Sequence, residues 1–94
     1  MRQKVVVFSQ IHQHILEKLQ QKYQVVVIDP KAGDVNTQIQ NEVVDADAMI
    51  GAGRRLNEEN LHTAKQLKII SSVSVGYDNY DLSYLNQKHI WLSN

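Results

Sequence analysis

The stretch that decides the fold class is Leu67-Lys68-Ile69-Ile70-Ser71-Ser72-Val73-Ser74-Val75-Gly76-Tyr77-Asp78-Asn79-Tyr80-Asp81. Its apolar first half is typical of a buried strand, the Val75-Gly76 pair predicts a turn, and the polar residues that follow can start a helix. In open α/β sheets, ligands bind outside the carboxyl ends of the strands. This turn is therefore the first candidate for a binding site.

Strand and helix patterns alternate on both sides of this stretch. Continuous apolar runs predict strands at 5–8, 25–28, 46–50, 67–73 and 90–92, the first two buried on both faces. Apolar residues at helical spacing predict helices within 11–19, 35–43, 57–67 and 81–85, with Asn57 and Asp81 as caps. This alternation predicts a single α/β domain over residues 1–94, a flavodoxin-like five-stranded parallel sheet in the order 2-1-3-4-5 with helices on both faces.

The composition excludes several classes of partner. Ten basic and ten acidic residues cancel, which argues against binding to nucleic acid or to a membrane surface through charge. The absence of cysteine excludes disulfides and thiolate metal sites. No apolar run approaches the roughly 20 residues of a membrane span. We therefore expect a cytoplasmic protein.

The segment after the predicted third strand, Gly51-Ala52-Gly53-Arg54-Arg55-Leu56, starts like a dinucleotide-binding loop. Leu56 stands where the third small residue should be, and no acidic residue ends the next strand, so a turn that relieves backbone strain is favoured. Arg54 and Arg55 lie at the carboxyl edge of the sheet, where they could meet an anionic or polyhydroxy substrate. Ser9-Gln10 after the first strand excludes a phosphoacceptor or flavin-phosphate site.

Two interpretations of the Val75-Gly76 turn stay open. Successive backbone N–H groups there could bind a small carboxylate. Alternatively, Asp78 and Asn79 could simply cap local amides in a tight turn. Tyr77 could line a cleft or pack on its own turn.

Other side chains give no sign of catalysis. We expect all four histidines to lie in solvent, with no nucleophile or metal cluster beside them. They are His12, His14, His62 and His89. Trp91 is expected in the core. We therefore place no catalytic, cofactor-binding or metal-binding residue in this chain.

The segment from Ile69 to Asp81 resembles the signature loop of the D-isomer-specific 2-hydroxyacid dehydrogenases, and most of all their glyoxylate/hydroxypyruvate and 2-ketogluconate reductase branch. The resemblance implies an NAD(P)-dependent enzyme that interconverts small 2-keto and D-2-hydroxy acids, with a flavodoxin-like substrate domain and a Rossmann cofactor domain. It also implies that the backbone amides of Val75 and Gly76 bind the substrate carboxylate, with Arg54, Arg55 and Tyr77 as further candidates.

In that family, the catalytic arginine, glutamate and histidine and the cofactor loop belong to the sequence after the position of Asn94. The resemblance thus implies that NAD or NADP acts in the full-length enzyme, and that this chain alone binds no cofactor and is inactive. Apolar surface left uncovered would favour a homo-oligomer. The alternative is a stand-alone, non-enzymatic α/β module that binds a partner protein through that surface.

Overall fold

The computed structural model describes residues 2–52, 54–73 and 80–93. In chain order, their elements are β1 (Lys4–Val7), α1 (Gln13–Lys22), β2 (Gln24–Val27), α2 (Val35–Glu42), a 3-10 turn (Val43–Asp45), β3 (Ala48–Gly51), α3 (Glu58–Leu61), β4 (Ile69–Ser72), α4 (Leu82–Gln87) and β5 (Trp91–Ser93). The strands form one parallel sheet in the order β2-β1-β3-β4-β5. This confirms the predicted flavodoxin-like fold, with helices on both faces of the sheet.

The interior strand β1 is buried on both faces, as its continuous apolar sequence predicts: Val5, Val6 and Val7 are 5%, 0% and 1% exposed. On one face, Val6 belongs to the main core, together with Met49 and Ile70 of the neighbouring strands and side chains of α2, α3 and α4. On the other face lies α1. Its residue Leu19 and its C-cap Tyr23 line one depression with Val5.

Strand β2 is not buried on both faces, which corrects the sequence prediction. Gln24 and Val27 are exposed, and Val25 and Val26 are only half-buried. The reason is its position at the edge of the sheet, where a strand pairs on one side only. A continuous valine run indicates a strand but not its place in the sheet.

Helix α3 is shorter than predicted. Asn57 caps it as expected, in a reciprocal capping box with Asn60, but the helix ends at Leu61. The chain then turns, and the hydroxyl of Thr63 donates a 2.6 Å hydrogen bond to the carbonyl of Gln40 in α2. Ala64 still packs against the core without belonging to a helix. The predicted cap of α4 is confirmed, because the Tyr84 amide donates to the Asp81 carboxylate.

Trp91 is 76% exposed, so its predicted place in the core is wrong. It stands on edge strand β5, opposite Ile69 in the register, on the face of the sheet that α1 covers only in part. The residues that share this face on β3, β4 and β5 are Ala48, Ile50, Ile69, Ser71, Trp91 and Ser93. We call them the uncovered face, because each is half-buried or exposed.

A buried lysine, Lys4, stabilises the edge of the sheet at which the strands begin. The Lys4 ammonium lies 2.6 Å from a carboxylate oxygen of Asp45 and 3.1 Å from one of Glu42. Burial by itself lowers the pKa of Lys4, but the hydrogen bonds to the two carboxylates outweigh it and raise the pKa above its ordinary value. The hydrogen bond from Lys4 lowers the pKa of Asp45.

Among the described residues, no helix has both the length and the apolar character needed to cross a bilayer.

The Asp45–Lys4 pair predicts a loss of stability in acid. The pKa of Asp45 is lower in the folded chain than its ordinary value of about 3.9. The contribution of Asp45 to the free energy of unfolding is therefore present above that pH and is lost as the pH falls through the folded-state pKa. The free energy of unfolding in urea should therefore fall less between pH 7 and pH 3 for Asp45→Asn than for the wild type. Glu17→Gln, at an exposed site on α1, is the control and should behave as the wild type. An Asp45→Asn profile parallel to that of the wild type would contradict this assignment.

Candidate functional site

The carboxyl ends of the parallel strands bring separate loops to one edge of the sheet. Phe8 and Ser9 follow β1, Asp29 follows β2, and Arg54 follows β3. This is the edge at which open α/β sheets bind ligands. The candidate site is therefore built from loops whose positions the strand order sets.

Gly51, at the end of β3, lets the ends of β1 and β3 lie unusually close. A Cβ atom at this position would be 2.8 Å from the Ser9 hydroxyl oxygen and 2.9 Å from the Phe8 ring. The close approach allows the Ala52 amide to donate a 2.7 Å hydrogen bond to Ser9 Oγ. The first glycine of the Gly51-Ala52-Gly53 turn thus makes room for the protein's own side chains.

The described part of this turn does not fit a dinucleotide. Leu56, which replaces the third small residue, is completely buried and forms a β-bridge with Tyr80. Because Gly51 accommodates Phe8 and Ser9, its bare Cα is not available for the approach of a pyrophosphate. We therefore assign no cofactor contact to the residues of this turn that the structure describes.

Arg54 extends into a cavity of about 660 Å³ between the ends of β1 and β2. Its side chain is half-buried, and its Nε–H is buried without a hydrogen-bond partner among the described residues. The Arg54 charge also acts on Asp34, the cap of α2. Hydrogen bonds from Thr37 lower the pKa of Asp34 most, and the positive charge of Arg54 lowers it further.

Arg55 has a different environment, although the sequence places it beside Arg54. It is exposed and does not line the cavity. Its backbone carbonyl accepts a 2.7 Å hydrogen bond from the Asn60 side chain, which fixes the start of α3. The structure therefore brings Arg54, but not Arg55, together with the loops after β1 and β2. The other predicted substrate contacts, Val75, Gly76 and Tyr77, lie outside the described residues, and their role stays a prediction.

Sequence reasoning missed the loop after β2, which forms one wall of the cavity through Asp29 and Lys31. The Gln38 side chain holds this loop from α2: its oxygen accepts from the Asp29 amide, and its nitrogen donates to the carbonyls of Asp29 and Gly33. The Lys31 amide donates to the Asp29 carboxylate at 2.9 Å. The sequence could have indicated Asp29 and Lys31 as candidates, because they directly follow the end of a predicted strand.

The histidines have local structural environments. His12 is the cap of α1, and its Nδ1 accepts from the His14 amide. His62 Nδ1 lies within hydrogen-bond distance of the carbonyls of Glu58 and Glu59. His89 has a φ of 59° at the end of α4, where the Ile90 amide donates to the Leu85 carbonyl and the His89 amide to the Asn86 carbonyl. No group of three or more possible metal ligands converges in the described part of the chain.

The chain resembles one family along nearly its whole length. The sequence profile described as "D-isomer specific 2-hydroxyacid dehydrogenase, catalytic domain" matches residues 5–94. A relative from Dictyostelium discoideum named "Probable 2-ketogluconate reductase" is 37% identical over 87 residues, which are 92% of this chain and 26% of that protein. The chain spans about a quarter of the length of the curated relatives it matches.

Solved structures share the fold. The PH0520 protein from Pyrococcus horikoshii OT3 is 29% identical, with a TM-score of 0.84 over 98% of this chain and 27% of that chain. An NADPH-dependent glyoxylate/hydroxypyruvate reductase from Sinorhizobium meliloti, solved in complex with NADP and malonate, is 22% identical, with a TM-score of 0.73 over 98% of this chain and 28% of that chain.

The close approach of β1 and β3 predicts that Gly51→Ala is destabilising. The added methyl group would overlap Phe8 and Ser9, so either these residues or β3 must shift, which typically costs about 1–3 kcal/mol. The free energy of unfolding in urea measures the loss. Ser9→Ala is the companion variant; it removes only the acceptor of the Ala52 amide and should cost about 1 kcal/mol. A Gly51→Ala variant as stable as the wild type would contradict this prediction, because it would show that Phe8 and Ser9 move aside at little cost.

Proposed function

We propose that this chain, which belongs to the D-isomer specific 2-hydroxyacid dehydrogenase family, forms the amino-terminal part of the substrate domain of an NAD(P)-dependent oxidoreductase. The enzyme interconverts 2-keto acids and D-2-hydroxy acids of the glyoxylate, hydroxypyruvate or 2-ketogluconate class. The observation that carries the proposal is the match of the family profile to residues 5–94, which cover the five described strands apart from Lys4 at the start of β1. The names of the relatives support the substrate class.

The proposed contribution of this chain is the binding of substrate. The backbone amides of Val75 and Gly76 would hold the carboxylate, with Tyr77 lining the site, Arg54 beside it and Arg55 at its rim. The Nε–H donor of Arg54 is already buried and has no partner among the described residues. A buried donor of this kind favours a ligand that supplies an acceptor.

In this proposal, the residues that carry out the reaction itself lie outside residues 1–94. NAD or NADP, which supplies the hydride when bound, would act in the full-length enzyme, in the cytoplasm. The binding residues for that cofactor and the proton-transferring residues would come from the part of the relatives' length that this chain does not span. This chain alone is then expected to bind no cofactor and to show no turnover.

Carboxylate binding can be tested by NMR titration of the 94-residue chain labelled with ¹⁵N. Millimolar glycolate should shift the amide resonances of Val75 and Gly76, because these N–H groups would donate to the carboxylate. Ethylene glycol has the same two carbons without the carboxylate and is the control; it should leave both resonances unchanged. If glycolate shifts neither amide, or if both compounds shift them equally, the proposed carboxylate site is wrong.

We further propose that the uncovered face binds a second copy of this chain. Trp91 is 76% exposed and Ile69 is 38% exposed, and the six residues of this face carry no charge that would oppose a self-complementary contact. The exposed tryptophan also favours the second candidate function, a non-enzymatic module that binds another protein, since tryptophan is enriched at interfaces. The oligomeric state separates the two proposals.

Self-association predicts a concentration-dependent sedimentation coefficient for the wild-type chain at tens to hundreds of micromolar. Trp91→Lys should sediment as a monomer, because it places like charges at the contact. Asn41→Lys introduces the same charge at an exposed position of α2, which packs on the opposite face of the sheet, and should associate like the wild type. A wild-type chain that stays monomeric at every concentration would exclude the dimer and leave the partner-binding module as the alternative.

A further inference from the structure

The cavity between the ends of β1 and β2, which we call the distal cavity, has the character of a small-molecule site. Its volume of about 660 Å³ lies within the range of ligand pockets, roughly 300–1,000 Å³. Apolar side chains form one part of its lining, and polar groups from three separate loops form the rest. The lining residues are Phe8, Ser9, Gln10, Val27, Ile28, Asp29, Pro30, Lys31 and Arg54.

Two residues that line the distal cavity carry hydrogen-bond donors without an acceptor in the part of the chain that the structure describes. The Arg54 Nε–H is buried and has no partner there. Ser9 Oγ accepts from the Ala52 amide, and its hydroxyl proton has no acceptor among the described residues. A buried donor without an acceptor is unfavourable, and a ligand oxygen at this place would relieve that cost.

The charges around the distal cavity favour neutral polar groups over a second anion. Lys31 and Arg54 are cationic, but Asp29 lies in the same lining and Asp34 interacts with Arg54. Two positive and two negative charges cancel. Such a mixture of donors and acceptors suits hydroxyl groups, which both donate and accept hydrogen bonds.

The strand order sets how far the distal cavity lies from the end of β4, the strand that precedes the proposed carboxylate site in the sequence. β3 lies between β4 and β1, so the carboxyl end of β4 is two strand spacings from that of β1. At ~4.8 Å per spacing, the separation is roughly 10 Å. An acid of two or three carbons held after β4 cannot extend so far, whereas an extended six-carbon acid is of comparable length.

We infer that the distal cavity binds the hydroxyl-bearing far end of a sugar acid. This inference rests on the proposed function and narrows its substrate class: the substrate is a long-chain 2-keto sugar acid and its 2-hydroxy product, rather than glyoxylate or hydroxypyruvate. Arg54 and Ser9 donate to hydroxyl oxygens of the chain, the Asp29 carboxylate accepts from a hydroxyl, and the apolar part of the lining contacts its C–H groups.

The test compares gluconate with glycolate in NMR titrations of the ¹⁵N-labelled chain. Gluconate should shift the amides of Ser9, Gln10 and Lys31 in addition to that of Gly76, and glycolate should shift only the last. Arg54→Gln should abolish the Ser9 response to gluconate and weaken gluconate binding roughly five-fold or more relative to its effect on glycolate binding. Lys18→Gln removes one positive charge from an exposed site on α1 and is the matched control, expected to bind as the wild type.

Arg54→Lys provides a second variant if Arg54→Gln does not fold, because lysine keeps the positive charge beside Asp34 and lacks the Nε–H donor. It should also weaken gluconate relative to glycolate. If gluconate and glycolate both shift Gly76 but bind equally, and Ser9 and Lys31 do not respond, the distal cavity takes no part and the inference is overturned while the proposed function stands. If neither acid shifts Gly76, the proposed function itself fails.

Discussion

Burial of β1 on both faces is the constraint on which the rest of the structure depends. A strand without polar side chains on either face, like Val5-Val6-Val7, needs cover above and below the sheet. The core formed with α2, α3 and α4 covers one face, and α1 lies on the other, next to β2. On that second face, the side chains of β3, β4 and β5 stay half-buried or exposed, so the same chain has one well-buried core and one uncovered face.

The candidate site shares its foundations with this core. Phe8 is both a core residue and part of the lining of the distal cavity, and Ser9 beside it bonds to the loop after β3. Gly51 permits both arrangements by having no side chain. A substitution there would move the cavity wall and strain the sheet together, so stability and binding are coupled at this position. The loop after β2 is held independently, by the Gln38 side chain of α2.

The fold was predictable from the sequence because the alternation of apolar runs and helical spacing is a property of local sequence. Positions within the sheet were not, since they depend on which strands become neighbours. The valines of β2 and Trp91 of β5 were therefore predicted as buried, although both strands lie at edges. Arg54 and Arg55 were equivalent candidates in the sequence. Only the local turn of the chain, held by Asn60, separates the one in the cavity from the one in solvent.

The parallel strand order also has a consequence for how the chain folds. Contacts that join β1 to β3 link residues far apart in sequence; Ser9 and Ala52, for example, are separated by 43 positions. Loop closure over such distances must precede the burial that rewards it, which slows folding. Until β3 pairs with it, β1 lacks one neighbour and much of its cover. Before β3 has been synthesised, β1 is therefore incompletely covered, at the stage when chaperone capture or misassembly competes with folding.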